Sequence, residues 1–348
     1  MTKHKGLAAI LCACALLLGG CATEGGAPPG DTAAPVQTAQ TAEKTTGTGF
    51  YFDTVVTLTL YGAPEGLMDE LWADCARYEQ LLSKTIAESD VSRINAAEGA
   101  TVTVDPETWA ILSRAKEISD LSGHAFSVTI APLTALWDFT GGTERMPTDE
   151  ERLAALPLVD DDALVLGENS TVTLPAGMEI DLGGIAKGYI ADRMADKVRG
   201  LTQGAMLNFG GNVYAVGEKP DGSAFVVGIQ DPQSTEGAAI AAVSVRDRTV
   251  VTSGIYERCF FKDGVRYHHI LDPKTGLPSD SDLASATIVT DSSMTADALA
   301  TACIVLGKDA SLKLLEGLGL DGLLITRDNE IFTTDGFADD FPLQTMNP

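Results

Sequence analysis

Positive charge is scarce in this chain. Of its 348 residues, 24 are Lys or Arg against 49 Asp or Glu, a formal net charge of −25. So acidic a protein has no electrostatic case for binding nucleic acid or an anionic membrane surface. It also means that a polyanionic ligand needs a local positive site, which a metal ion could supply. Cysteine is sparse as well. Cys12 and Cys14 lie in an N-terminal apolar run and Cys21 closes it, which leaves Cys75, Cys259 and Cys303. An odd three excludes a complete disulfide framework. Each sits in an apolar pattern and reads as a small buried hydrophobe, with one disulfide open and its pairing unspecified. Beyond the leader only His124, His268 and His269 can supply imidazole.

Long apolar runs are missing too. The run Gly6 to Leu18 follows Lys3 and Lys5 and is too short for a membrane span, so it reads as an export signal. Leu18-Gly19-Gly20-Cys21 matches a bacterial lipobox. Cys21 is therefore expected to be the acylated first residue of the mature chain, anchored in a cell membrane on its extracytoplasmic face. Loss of the leader removes Lys3 and Lys5 and no acid, which leaves 22 basic against 49 acidic residues, a net −27. Residues 22–49 hold almost no large apolar side chain and read as a flexible tether. The folded part is expected from about Phe50 to the end, enough for one large core or two subdomains.

Within it, Val55–Tyr61 alternates as a half-buried strand, and residues 64–84 carry Leu67, Leu71, Cys75, Tyr78 and Leu82 at helical spacing. Asp105-Pro106 is a helix start. After Gly200 the chain is strand-rich, with a hairpin turn at Asp263-Gly264 and a terminal hairpin turning at Asp328-Asn329. Asp291 or Ser292 caps a helix that runs to about Leu306.

Four stretches carry candidate chemistry. Asp181-Leu182-Gly183-Gly184-Ile185-Ala186-Lys187 ends an apolar approach in a carboxylate, a Gly pair, a helix start and a lysine. It is either an anion-binding corner or a solvated strand–turn–helix corner. Asn208-Phe209-Gly210-Gly211-Asn212 joins two strands, as a tight turn or as backbone approaching a nucleotide. His268 and His269 are adjacent at a strand end, where neighbours face opposite ways, so at most one serves a given site. Asp297 and Thr301 are four apart on a helix and share a face. That oxygen pair suits a hard cation such as Mg²⁺, and it equally suits an N-terminal Asp with a back-bonded Thr.

Together these runs resemble the ApbE-type family of FAD:protein FMN transferases, from about Tyr51 to the C-terminus. The resembling runs are DLGGIAKGYIAD from Asp181, LNFGGNVYAVG from Leu207, GIQDP from Gly228, TSGIYER from Thr252, HHILDPKTGLP from His268 and TADALATACIVLG from Thr295. Ala131-Pro132-Leu133 through Ala135-Leu136-Trp137 resembles a further segment of that family. The resemblance implies an α+β fold of two α/β subdomains with mixed or antiparallel sheets and FAD between them. It places Phe52, Tyr78 and Ala135-Leu136-Trp137 near the flavin ring. Asp181, Lys187 and Ile270 would contact FAD. The Gly184 carbonyl, Asp297 and Thr301 would hold Mg²⁺, and His269 would take a proton from a Thr hydroxyl of an acceptor flavoprotein subunit. That hydroxyl would receive FMN, and AMP would leave. FAD hydrolysis to FMN and AMP, or FAD binding without turnover, are the alternatives. Three departures stand out: Phe52-Asp53-Thr54 where many members have Met-Gly-Thr, Ser127 where Asp is common, and His268 before His269.

Overall fold

The computed structural model describes residues 42–139, 142–234, 236–341 and 344–345. The leader, Cys21 and most of the expected tether lie outside the described residues. The first half runs β1 (Lys44–Tyr51), β2 (Thr54–Tyr61), α1 (Leu67–Leu82), α2 (Asp90–Asn95), β3 (Thr101–Thr103), α3 (Pro106–Leu121), α4 (Ala131–Thr134), α5 (Asp149–Ala155), β4 (Val165–Gly167), β5 (Thr171–Thr173) and α6 (Ala186–Val198). The second runs β6 (Gly204–Phe209), β7 (Asn212–Gly217), β8 (Phe225–Gln230), β9 (Ala239–Val245), β10 (Arg248–Gly254), β11 (Cys259–Lys262), β12 (Val265–His268), β13 (Leu283–Thr290), α7 (Ser293–Leu306), α8 (Lys308–Leu318), β14 (Asp321–Thr326), β15 (Ile331–Thr333), α9 (Phe337–Asp340) and β16 (Gln344–Thr345).

One eight-stranded sheet organises these elements, in the order β1-β2-β6-β7-β10-β13-β14-β15. Every pair in it is antiparallel. Helices α1, α6 and α7 pack on one face, over Leu58, Leu207, Tyr214, Val251, Ala286 and Ile288. The small sheet β16-β9-β8 and α9 cover the other, over Val213, Ala215, Val250 and Val289. Strands covered on both faces lose the polar alternation of a half-buried strand, and all eight residues of β13 are buried. The fold is thus α+β, and both halves of the chain share this continuous sheet. A satellite core of Leu133, Trp137, Ala155, Phe260 and Leu271 ties the β11–β12 hairpin to α4 and α5.

Local signals explain most helix boundaries. The five residues expected to face the core on α1 are its buried residues. The Asp105 side chain accepts from Glu107 N at 2.8 Å and Pro106 opens α3. Ser292 caps α7 by accepting from Thr295 N.

One expectation is corrected. The expected tether already contains β1 from Lys44, because Thr45–Thr48 pair along β2 and Trp72 lies against the strand. A Cβ on Gly47 would meet Trp72 Cζ2 at 2.9 Å, so this glycine admits a ring rather than loosening the chain. On α6 the buried face is Gly188, Ile190, Ala191, Met194, Ala195 and Val198. Tyr189 packs its ring against the same core and donates its hydroxyl to Glu107. Cys75, Cys259 and Cys303 are all free thiols.

Candidate functional site

The Asp181 stretch forms a corner between the apolar approach and α6. Asp181 N donates to Val128 O at 2.8 Å, and its carboxylate accepts from Gly183 N at 2.8 Å and from Lys84 Nζ at 2.6 Å. Helix α6 then starts without a side-chain cap of its own. An uncapped start leaves N–H groups that attract an anion. That anion is supplied by the protein: Asp297 Oδ2 on α7 accepts from Gly188 N at 3.0 Å. Lys187 Nζ donates to Gly183 O at 3.0 Å and lies 3.4 Å from Asp297 Oδ1.

Asp297 and Thr301 share the α7 face turned to this corner. The Thr301 hydroxyl donates back to Asp297 O at 3.2 Å and lies 3.4 Å from Ser253 Oγ at the end of β10. A Cβ on Gly184 would fall 3.6 Å from Thr301 Oγ1 and 3.2 Å from Phe126 Cε2, so the bare glycine lets its backbone approach α7. The donors gathered here are a carboxylate, hydroxyls and a neighbouring backbone segment. All are hard oxygens with one anion, which fits a Mg²⁺ ion that keeps waters and takes phosphate oxygens. No cluster of three or more His, Cys, Asp or Glu poised for a metal occurs among the described residues; the set here does not depend on one.

The facing wall is the β11–β12 hairpin and the turn after it. His269 N donates to Arg258 O at 3.0 Å, which fixes the two segments side by side. The two histidines part as strand geometry requires. His268 is buried, with Nε2 at 3.1 Å from Ser279 O, and burial pulls its pKa down to about 4. His269 is half-buried; burial first, then Arg258, His268 and Lys187, pull it down to about 3. His269 therefore feels the charge on Lys187 and His268 does not. Behind the hairpin, Trp137, Phe139, Phe260 and Tyr267 stack with centroids 5.4–6.0 Å apart.

Glu257 lies in the TSGIYER run. Solvent reaches it, yet protein crowds it, and that desolvation pushes its carboxyl up to about 7 against the pull of Lys187 and Arg258. Its Oε1 lies 3.7 Å from where a Cβ on Gly211 would stand, so the Gly210-Gly211 turn borders the same region. Only its place in that run could have found it; Lys84 had no signal at all. The β1–β2 tip adjoins this turn, since Thr54 Oγ1 would clash with a Cβ on Gly210. Phe52 N donates to Glu79 Oε1 at 2.9 Å, and Arg258 reaches Asp53 O at 3.4 Å.

Other expected contacts are only partly assembled. Tyr78 OH and Tyr189 OH both donate to Glu107 Oε1 at 2.9 Å, with Arg77 on the other oxygen. No hydrogen bond joins that cluster to Lys187 or Asp297 among the described residues. Trp137 is buried with Nε1 on Gly276 O at 3.3 Å, Leu136 is half-buried and Ala135 is exposed. Ile270 is buried in the main core. Two cavities, of about 380 and 540 Å³, line other sides of α6. Charged residues and tyrosines dominate their walls, with Tyr78 and Glu107 in the first and Tyr189 and Asp192 in the second, and neither includes Lys187, Asp297 or His269.

The model of the ApbE family matches residues 52–324. An FAD:protein FMN transferase of Treponema pallidum is 37% identical over 290 residues, covering 78% of this chain and 80% of the relative. One from Klebsiella pneumoniae is 36% identical, covering 79% and 87%. Among solved structures, the ApbE protein of Thermotoga maritima superposes with a TM-score of 0.79 at 33% identity, covering 85% of this chain and 98% of that one. The apo flavinyl transferase ApbE of Pseudomonas stutzeri gives 0.77 at 30% identity, covering 86% and 96%.

Proposed function

Because the chain belongs to the ApbE family, and is an FAD:protein FMN transferase on that footing, we propose that the Lys187–Asp297–Thr301 corner and the His269 wall form its active site. The observation that carries this reading is the convergence of the corner, from Lys187 on α6 and the Gly184 backbone in the turn before it with Asp297 and Thr301 on α7. In the reaction, a Thr hydroxyl of an acceptor protein forms a bond to the FMN-side phosphorus of FAD. The pyrophosphate P–O bond breaks, AMP leaves, and the hydroxyl proton passes to His269.

Phosphoryl-type transfer needs positioning and charge neutralisation more than covalent help. Lys187 brings a positive charge into a strongly acidic protein, where a dianionic pyrophosphate would otherwise be repelled. Asp297, Thr301 and the Gly184 carbonyl would hold Mg²⁺, which when bound supplies further positive charge at the phosphates. His269 is neutral at physiological pH and so keeps a lone pair for the acceptor proton. A negative pyrophosphate bound nearby raises its proton affinity from the depressed value. Asp181, Phe52 and Ala135 border the approach for the rest of FAD. Cys21 carries an acyl anchor that holds the chain to a membrane outside the cytoplasm; no described helix is long and apolar enough to cross one.

The test is incubation with FAD, Mg²⁺ and a Thr-bearing acceptor domain, read by flavin fluorescence on the denatured acceptor. Labelling supports transfer. FMN and AMP without labelling would mean hydrolysis, and unchanged FAD would sink both. Asp297→Ala is expected to abolish labelling, since it removes the only carboxylate of the donor set.

A further inference from the structure

Helices α6 and α7 exchange carboxylates at their starts. Asp297 of α7 accepts from Gly188 N in the first turn of α6 at 3.0 Å. In return Asp192 of α6 accepts from Ser293 N at 2.6 Å, Met294 N at 3.0 Å and Ser292 Oγ at 3.2 Å, at the start of α7. Between the two exchanges the helices touch backbone to backbone: a Cβ on Gly188 would stand 2.2 Å from Ser293 O. Ser292, the N-cap residue, spends its own oxygen on Thr295 N. The Ser293 and Met294 amides therefore depend on Asp192. No Lys or Arg lies within ion-pair distance of Asp192 among the described residues, so its hydrogen bonds go to α7 rather than to a cation.

We propose that Asp192 is a positioning residue of the transferase, fixing the register of α7 on α6 and thereby the place of Asp297 and Thr301 against Gly184 and Lys187. This rests on the transferase reading of the site. The leverage is short. Asp297 follows Met294 by about 4.5 Å along the helix and Thr301 by about 10.5 Å. A slide or rotation at the start of α7 is carried directly to both oxygens, and misplacement of about 1 Å in such a site is costly. Asp192 touches neither substrate nor metal; it acts through the helix.

The experiment uses the full chain with Mn²⁺ as a spectroscopic probe for the Mg²⁺ site, and FAD binding read by fluorescence quenching. Asp192→Asn keeps the shape but turns a donor toward an N–H group. It is expected to weaken Mn²⁺ binding by about 10–100-fold, the range for groups that orient a metal ligand, with FAD affinity within about threefold. Amide exchange at Ser293 and Met294 should speed up while the rest of the sheet stays protected. Asp196→Asn removes the same charge from α6 without contacting α7, and is expected to leave Mn²⁺ binding near the parent value. Ser292→Ala is the milder variant should Asp192→Asn not fold, with a smaller loss in the same direction. If Asp192→Asn binds Mn²⁺ like the parent, or Asp196→Asn loses as much, the inference fails while the transferase reading stands. A parent that labels an acceptor yet binds no Mn²⁺ removes the metal reading and this inference together.

Discussion

Phe52 and Asp53 both adopt φ near 55° at the tip of the β1–β2 hairpin, a conformation that glycine takes freely and other residues resist. Gly210 and Gly211 fill the equivalent places in the neighbouring β6–β7 hairpin. Asp53→Gly is therefore expected to raise stability by about 0.5–1 kcal/mol, seen as a higher urea midpoint at unchanged slope; no rise would mean that the left-handed conformation costs Asp53 no more than glycine. The histidine pair divides structure from chemistry. His268→Ala should cost about 1–3 kcal/mol, by losing its bond to Ser279 O and opening the core. His269→Ala should melt near the parent and transfer FMN far more slowly; the reverse pattern would exchange their roles. His268 also makes a pH prediction. Its folded pKa, about 4, lies below the usual 6.5, so the unfolded chain binds the extra proton between those values. Stability from this group is present above pH 6.5 and is lost as pH falls toward 4, about 3 kcal/mol in all. Asp192 works the other way, since burial lifts it to about 6 and its ionised form is the costly one. The readout is hence a difference: His268→Gln should show a shallower fall in stability between pH 6.5 and 4 than the parent.

At the scale of elements, the crossing of α6 and α7 decides the site. Gly188→Ala places a methyl group on backbone atoms that have no rotamer with which to yield. It should cost about 3 kcal/mol and loosen Mn²⁺ binding, both measurable on the purified variant; a neutral result would show that the helices can part. The motifs that build this crossing were legible in the chain because they are local: an apolar approach, a Gly pair, a helix stripe and an Asp–Thr pair one turn apart. Their partners were not. Lys84 meets Asp181 across 97 residues and Asp192 meets Ser293 across 101. No periodicity encodes which distant carboxylate will cap which helix. The uncapped start of α6 was readable as an anion site, but not that Asp297 would be the anion. Tyr78 shows the opposite limit: its burial was readable from the α1 stripe, whereas its hydroxyl partner Glu107 depends on how α1, α3 and α6 meet.

For the molecule as a whole, the strand content of the second half and the terminal hairpin followed from alternation and turn residues. The order of the sheet did not, since pairing β2 with β6 is a long-range event. The first residues of β1 were not legible as a strand, because Thr and Gly look like tether until Trp72 is laid on them. Removal of everything before Lys44 should leave melting and FMN transfer unchanged, whereas removal through Tyr51 should destabilise the chain by stripping β2 of one of its two partners. Cys21→Ser should release the protein from membranes into the soluble fraction with transfer intact; persistent membrane association would refute the acyl anchor. The pairing order also sets a schedule. The β1–β2 hairpin is complete at Tyr61, but β6, its next neighbour, begins only at Gly204. At ordinary synthesis rates the roughly 140 intervening residues take about 7–30 s to emerge. For that interval the β6-facing edge of β2 stays open, although α1, which follows β2 directly, can already lie on Val56, Leu58 and Leu60. The unpaired edge is thus an aggregation hazard early in synthesis, and a chaperone that grips the first strands until the middle of the chain arrives would shield it.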